Sequence, residues 1–296
     1  MIRVLVTGAS GFIGRELVAV LARSGHEVHA VSRSGEAAVP GARWHRADLL
    51  RCGAIEALLP TIAPETLVHL AWHADPASYR ESALNVAWAE ASLRLLGAFA
   101  AAGGRRAVSV GSVFEYDWSA GVCREADSGG APATLYGAVK RAVGSIAVAG
   151  ADAMGLSTAH ARIFWLYGPH EAPGRLVPSL IGNLLTGRVA EIRTPDQARD
   201  FLHVRDVAGA LAALADSEVT GPVNVASGRA VSVREIATTL GTLTGRRDLL
   251  AFPSAPALGD VVVADTTRLG TEVGFRPAID LRDGLRATVT WWRRYV

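Results

Sequence analysis

Thr7-Gly8-Ala9-Ser10-Gly11-Phe12-Ile13-Gly14 is preceded by the apolar run Val4-Leu5-Val6 and followed by Arg15-Glu16-Leu17-Val18. The run before the glycines reads as a buried strand, and from Phe12 apolar side chains recur at helical spacing as far as Leu21. Strand, glycine turn and helix in that order form the context in which a dinucleotide fingerprint has meaning. Glycine permits a tight turn and a close approach of backbone to pyrophosphate, and a helix N-terminus favours negative charge. Gly8, Ser10, Gly11, Phe12, Ile13 and Gly14 are therefore candidate cofactor contacts.

Outward from this turn, Val28–Val31, Leu67–Leu70, Ala107–Val110 and Thr158–Phe164 repeat the short apolar strand pattern, separated by helix-like stretches. One of these is a long helix expected across Tyr79 to Ala102. This alternation predicts an α/β fold, a doubly wound parallel Rossmann sheet with a smaller, interleaved α/β substrate-binding domain. The rhythm breaks after Tyr167-Gly168-Pro169, and segments around Phe201–Ala215 and Gly221–Val225 again read as helix and buried strand. The expected division is residues 1–168 for the dinucleotide domain, with 199–225 returning to it, and residues 169–198 and 226–296 for the substrate region.

The chain of 296 residues carries 30 Lys+Arg against 28 Asp+Glu and 50% hydrophobic residues, which excludes disordered and fibrous classes. The near-neutral balance has no basic block, so nucleic acid is not an expected partner. Cys52 and Cys123 are too few and too isolated for a disulfide framework or a clustered metal site, so no metal is expected. No stretch has the length and hydropathy of a signal peptide or a membrane span, and the expected location is the cytoplasm.

At the end of the second strand stands Ser32-Arg33-Ser34, with none of the carboxylates that bind the ribose hydroxyls of NAD. Arg33 could clamp a 2′-phosphate, so these three residues favour NADP(H), with NAD(H) as the alternative. Asp48 and Leu49 follow a further strand, where Asp48 could receive the adenine amino group or cap a helix. Leu70 and Ala71 end the strand expected to run beside the cofactor, contributing backbone. His69 and His73 read as core or loop histidines rather than catalytic groups.

Tyr136-Gly137-Ala138-Val139-Lys140 sets a phenol and an ammonium on one helical face. Using a phenol as acid or base near neutrality benefits from a neighbouring cation. Lys140 is the single lysine in the chain; the other 29 cationic residues are arginine, which singles it out for chemistry that a guanidinium cannot perform. Ser112, at the end of the Ala107–Val110 strand, could hydrogen-bond a substrate carbonyl or its alkoxide.

These motifs resemble those of the extended short-chain dehydrogenase/reductases, particularly the nucleotide-sugar epimerases, dehydratases and reductases. TGASGFIG is similar to the family's TGxxGxxG, Gly111–Tyr116 to its serine-bearing strand end, and Tyr136 to Lys140 to YxxxK. Arg162–Pro169 is similar to RxFNxYGP, Arg199–Val204 to RDFxHV, and Asn224–Gly228 to NxxxG. The resemblance implies that Ser112 positions the substrate oxygen, Tyr136 exchanges the proton, and Lys140 holds the nicotinamide ribose and lowers the tyrosine pKa. It implies a nucleotide-sugar substrate whose diphosphate Arg199 grips, the alternative for Arg199 being a salt bridge to Asp200 or Asp206.

The sequence departs from the family pattern in two places. Trp165 stands at the usual substrate-contacting Asn, and Ala257-Leu258-Gly259-Asp260 lacks the Arg of an RPGD-like segment. Arg175, Arg188 or Arg193 are candidates to compensate. Dehydratases follow the catalytic hydroxyl with an Asp-Glu pair, whereas Val113-Phe114 follows Ser112 here, which disfavours dehydration. The expected activity is an NADPH-dependent ketoreduction of a nucleoside-diphosphate-linked keto-deoxysugar, the alternatives being a 4-epimerase or a catalytically silent NADP-binding regulator. The family's pairing of the long helix with the YxxxK helix implies a homodimer, for which Leu84, Ala87, Trp88, Ala91 and Leu95 offer an apolar face.

Overall fold

A computed structural model describes residues 1–35, 39–127, 130–254 and 259–296. Seven strands form one wholly parallel sheet in the spatial order Gly221–Val225, Ser157–Ile163, Arg106–Ser112, Thr66–His69, Arg3–Thr7, Glu27–Ser32, Ala42–Arg46. Numbered along the chain, that order reads 7-6-5-4-1-2-3, the doubly wound arrangement. Its direction reverses between Arg3–Thr7 and Thr66–His69, and the crevice at the carboxyl ends of those two strands is the place where such sheets bind ligands.

Strand alternation explains why both faces are covered. Val4 and Val6 point to one side, against Leu17 and Leu21 of the helix Phe12–Arg23 and Val207, Leu211 and Leu214 of the helix Val204–Asp216. Leu5 points to the other, where it joins Leu67, Trp88, Leu95 and Phe99. The expected face of the long helix is thus divided: Trp88, Ala91 and Leu95 are buried within the chain, while Leu84 remains exposed. A helix of a doubly wound fold must first cover its own sheet, so this stripe is core rather than a free pairing surface. The helix spans Leu84–Ala101, shorter than expected, because Ser82 and Asn85 organise the preceding residues as a turn. The Leu84 N–H donates to the Ser82 hydroxyl, and the Asn85 amide donates to the carbonyls of Tyr79 and Ser82.

A second sheet runs Ala230–Ser232, Ala198–His203, Val261–Ala264, Val122–Cys123, with Trp165–Tyr167 beside Phe201–His203. Within 199–225, the residues up to His203 therefore lie in the second sheet, and the helix Val204–Asp216 and strand Gly221–Val225 lie on and in the first. Helices Leu176–Leu185, Val233–Thr244 and Leu281–Trp292 share a separate core with Tyr167, Phe201 and Leu285. The two sheets meet through Phe164–Trp165, which leaves the first sheet at Ile163 and enters the second two residues later.

Candidate active site

The glycine turn is built for close backbone approach. Gly8 has φ +67°, and a Cβ there would lie 2.7 Å from the Ala71 nitrogen. At Gly14 a Cβ would run into the Gly8 carbonyl and the Ala9 backbone, so helix and strand touch through bare backbone. Gly11 caps the helix without any side-chain hydrogen bond, and no acid stands in its first turn. The positive end of the helix is thereby left for an anion, and the cradle fits a dinucleotide pyrophosphate.

Around the cradle, the Ser32 hydroxyl accepts from the Gly35 N–H at 3.0 Å, closing the turn that leaves Arg33 exposed. Ser34 is likewise exposed. The Asp48 carboxylate accepts from the Leu50 N–H at 3.2 Å, a turn cap, while Leu49 is buried in the core. Leu70 N–H donates to the Thr7 carbonyl and Ala71 N–H to the Thr7 hydroxyl, which tucks this strand end against the glycine turn. His69 lies between the hydroxyls of Thr7, 2.7 Å away, and Ser92, 2.8 Å away. Burial and then the charge of Lys140 push its pKa down to about 3, so it is a neutral core histidine. His73 pairs with the Ser78 hydroxyl.

The helix Leu135–Ala149 carries the phenol and the ammonium. The Thr134 hydroxyl caps it by accepting from the Gly137 N–H at 3.1 Å, and a Cβ on Gly137 would collide with the Phe114 carbonyl. This contact sets Tyr136 against the end of the Ser112 strand. Tyr79, Phe114 and Trp72 meet the Tyr136 ring edge-on at centroid distances of 5.0, 5.9 and 6.5 Å. Burial pushes the phenol above its ordinary range, and a hydrogen bond with Ser112 works in the opposite direction. Lys140 donates to the Val110 carbonyl at 2.8 Å and rests 3.6 Å from the centroid of the Trp72 ring. Ser112, Tyr136 and Lys140 thus converge at the carboxyl end of one strand.

Beneath Ser112 lies a charge cluster assembled from residues far apart in the chain. The Ser112 N–H donates to the Glu115 carboxylate at 2.8 Å; Arg162 Nε donates to it at 2.9 Å, and His160 Nε2 lies 3.0 Å away. Burial opposes ionisation of Glu115, yet His160, Arg162 and the Ser112 N–H together hold it below the ordinary carboxylate range. Arg162 also donates to the Tyr116 hydroxyl, which donates to Asn224 at 2.7 Å. Glu115, Arg162 and Asn224 fall within the family-like segments Gly111–Tyr116, Arg162–Pro169 and Asn224–Gly228, but the strand pairing that brings Arg162 and Asn224 together is not visible in sequence.

A cavity of about 880 Å³ opens beyond the phenol, lined by Arg80, Phe114, Trp118, Trp165, Arg199 and Asp260 among others. Arg199 donates to both carboxylate oxygens of Asp260, at 3.0 and 2.9 Å, and lies over the rings of Trp118 and Trp165. Its ionic partner is Asp260, not Asp200 or Asp206. Asp200 accepts from Ser227, Gly228 and Ala264, and Asp206 from Ala278 and Ile279. Arg175 lies outside this lining, over the Tyr79 ring at 4.7 Å, while Arg188 and Arg193 are exposed. Ala257 and Leu258 fall outside the described residues. Among the described residues no group of His, Cys, Asp or Glu is placed to hold a metal, and no helix is long and apolar enough to cross a membrane.

Relatives and a solved structure match nearly the whole chain, and a family model matches most of it. A dTDP-4-dehydro-6-deoxy-D-allose reductase of Streptomyces bikiniensis is 28% identical over 99% of this chain and 96% of its own length. UDP-glucuronate 4-epimerase 5 of Arabidopsis thaliana is 29% identical over 98% of this chain and 75% of the relative. The structure of MoeE5 in complex with UDP-glucuronic acid and NAD is 34% identical, with a TM-score of 0.85 over 99% of this chain and 100% of that one. A model of the NAD dependent epimerase/dehydratase family matches residues 4–226. With this match and the glycine turn, Ser112, Tyr136 and Lys140 in place, the chain belongs to that family, the NAD(P)-dependent oxidoreductases of the extended short-chain dehydrogenase/reductase type.

Proposed function

We propose that the protein is an NADPH-dependent ketoreductase acting on a nucleoside-diphosphate-linked keto-deoxysugar. The observation that carries this reading is the Tyr136 phenol hydrogen-bonded with Ser112, beside apolar Val113 and Phe114 where a second acid/base pair would stand. The full-length likeness to a deoxysugar reductase supports it. Exposed Arg33, in a strand end whose residues Ser32–Ser34 include no carboxylate, supports NADPH over NADH.

When bound, the nicotinamide cofactor supplies a hydride to the ketone carbon. The glycine turn with Ser10, Phe12 and Ile13, then Ser32–Ser34, Asp48, Leu49, Leu70 and Ala71, would hold the dinucleotide, with Tyr136 and Lys140 at its nicotinamide ribose. Ser112 Oγ orients the carbonyl oxygen, and Tyr136 gives that oxygen its proton. The resulting phenolate is stabilised by the Ser112 hydroxyl and by the Lys140 ammonium. Trp165 and Arg199 face the sugar-nucleotide, with Arg175 bracing Tyr79 behind the phenol. The enzyme is proposed to work as a cytoplasmic homodimer.

A 4-epimerase is the second reading, favoured by the 34% identity to a structure that holds UDP-glucuronic acid and NAD. Incubation of the purified protein with NADPH and a nucleotide-linked 4-ketosugar separates the two. Stoichiometric loss of NADPH absorbance with formation of the alcohol is the expected result. Interconversion of UDP-glucuronic acid and its 4-epimer without net cofactor change would overturn the reductase in favour of the epimerase. No turnover of either substrate class would leave the silent regulator.

A further inference from the structure

The Trp72 side chain is fixed from three sides. Its Nε1 donates to the Asn85 side-chain carbonyl at 2.9 Å, it stacks on Trp88 at 6.1 Å, and its ring meets the edge of Tyr136. Asn85 is itself fully buried and tied to the Tyr79 and Ser82 carbonyls. The indole face so fixed is the surface on which the only lysine of the chain rests, 3.6 Å from ammonium to ring centroid. A buried ammonium needs compensation for the water it loses. The Val110 carbonyl takes one N–H, and an aromatic face supplies negative quadrupole without a competing proton acceptor.

We propose that Trp72 is a positioning residue that keeps the Lys140 ammonium charged and aimed toward the phenol. This inference rests on the hydride-transfer reading of the site. The titratable groups facing Lys140 are Tyr136 on its own helix, Glu115 after the Ser112 strand, and His69 on the strand Thr66–His69. The helix Leu84–Ala101 turns Asn85, Trp88 and Ser92 inward, none of them titratable. Burial pulls the ammonium down to about 7, and the Glu115 carboxylate pulls it back up. An ammonium so poised responds to any further contact that prefers the charged form. Cation–π attraction is one, so removing the indole should lower the pKa and move the basic limb of activity toward acid.

Because the chain has one lysine, labelling with ¹³C-lysine yields a single Cε resonance whose titration reports Lys140 directly, with no substrate present. Trp72→Leu is expected to lower its midpoint by roughly half to one and a half pH units, with Trp72→Phe recovering most of the shift. An unchanged midpoint in folded Trp72→Leu would overturn the proposal. Should that variant fail to fold, the wild-type spectrum decides: the Lys140 ε-protons are expected well upfield of their position in urea, from the indole ring current, and coincidence of the two positions would equally overturn it. A parallel pH profile of kcat with NADPH and a nucleotide-linked 4-ketosugar should show the basic limb move with the NMR midpoint. Absence of wild-type turnover would refute the reductase, while the titration still judges Trp72.

Discussion

Ser112, Tyr136 and Lys140 divide the work by chemical type, so each substitution has its own signature. Tyr136→Phe keeps the ring packed between Tyr79 and Phe114 and removes only the exchangeable proton. Turnover should fall by at least about 10²-fold while NADPH affinity, read by fluorescence titration, stays near wild type. Lys140→Arg retains charge but sets a planar fork where a compact ammonium touches Val110 and Trp72, so activity should fall similarly. Glu115 acts one layer below. Glu115→Gln leaves Arg162 buried without its counter-charge and should cost about 3–5 kcal/mol in urea denaturation at pH 7. Since the folded Glu115 pKa lies below the ordinary carboxylate value of 4.5, its stabilisation is complete above that pH and is lost as pH falls through the folded value. The variant should therefore lose less further stability than wild type below about pH 4.5.

At the scale of elements, the strand–turn–helix unit at the N-terminus holds its function in backbone geometry. Gly14→Ala would force a methyl group into the Gly8 carbonyl and the Ala9 backbone, so helix and strand must separate. A lowered melting temperature together with at least tenfold weaker NADPH binding is expected, and calorimetry with titration measures both. The second strand ends in Ser32–Ser34, and there Arg33→Asp should weaken NADPH sharply while NADH loses far less. A 2′-phosphate would meet a carboxylate, whereas ribose hydroxyls can donate to it. An unchanged NADPH/NADH preference would remove the support that cofactor choice lends to reduction over epimerisation.

For the whole molecule, the two sheets and the helices between them leave one matter to surfaces. The helices Leu84–Ala101 and Leu135–Ala149 pack together and expose Leu84, Val86 and Ile146 outward. If a homodimer forms there, sedimentation should give twice the 31.0 kDa chain mass, and Val86→Glu with Ile146→Glu should return it to one. A concentration-independent monomer in the wild type refutes the pairing.

The sequence by itself determined the features that live within a few residues of one another. The glycine turn, the strand rhythm, and the four-residue spacing of Tyr136 and Lys140 are local, and periodicity and backbone sterics make them legible. Only the tertiary structure decided what depends on which strands become neighbours. Placing Ser157–Ile163 beside Arg106–Ser112 carries His160 and Arg162 under Ser112, and the second sheet brings Asp260 to Arg199 rather than Asp200 or Asp206. It also turned Trp88, Ala91 and Leu95 inward and set Trp72 against Lys140. Periodicity shows that a helix has an apolar stripe, but which surface covers it depends on strand order, and contacts between residues far apart in the chain follow from that order.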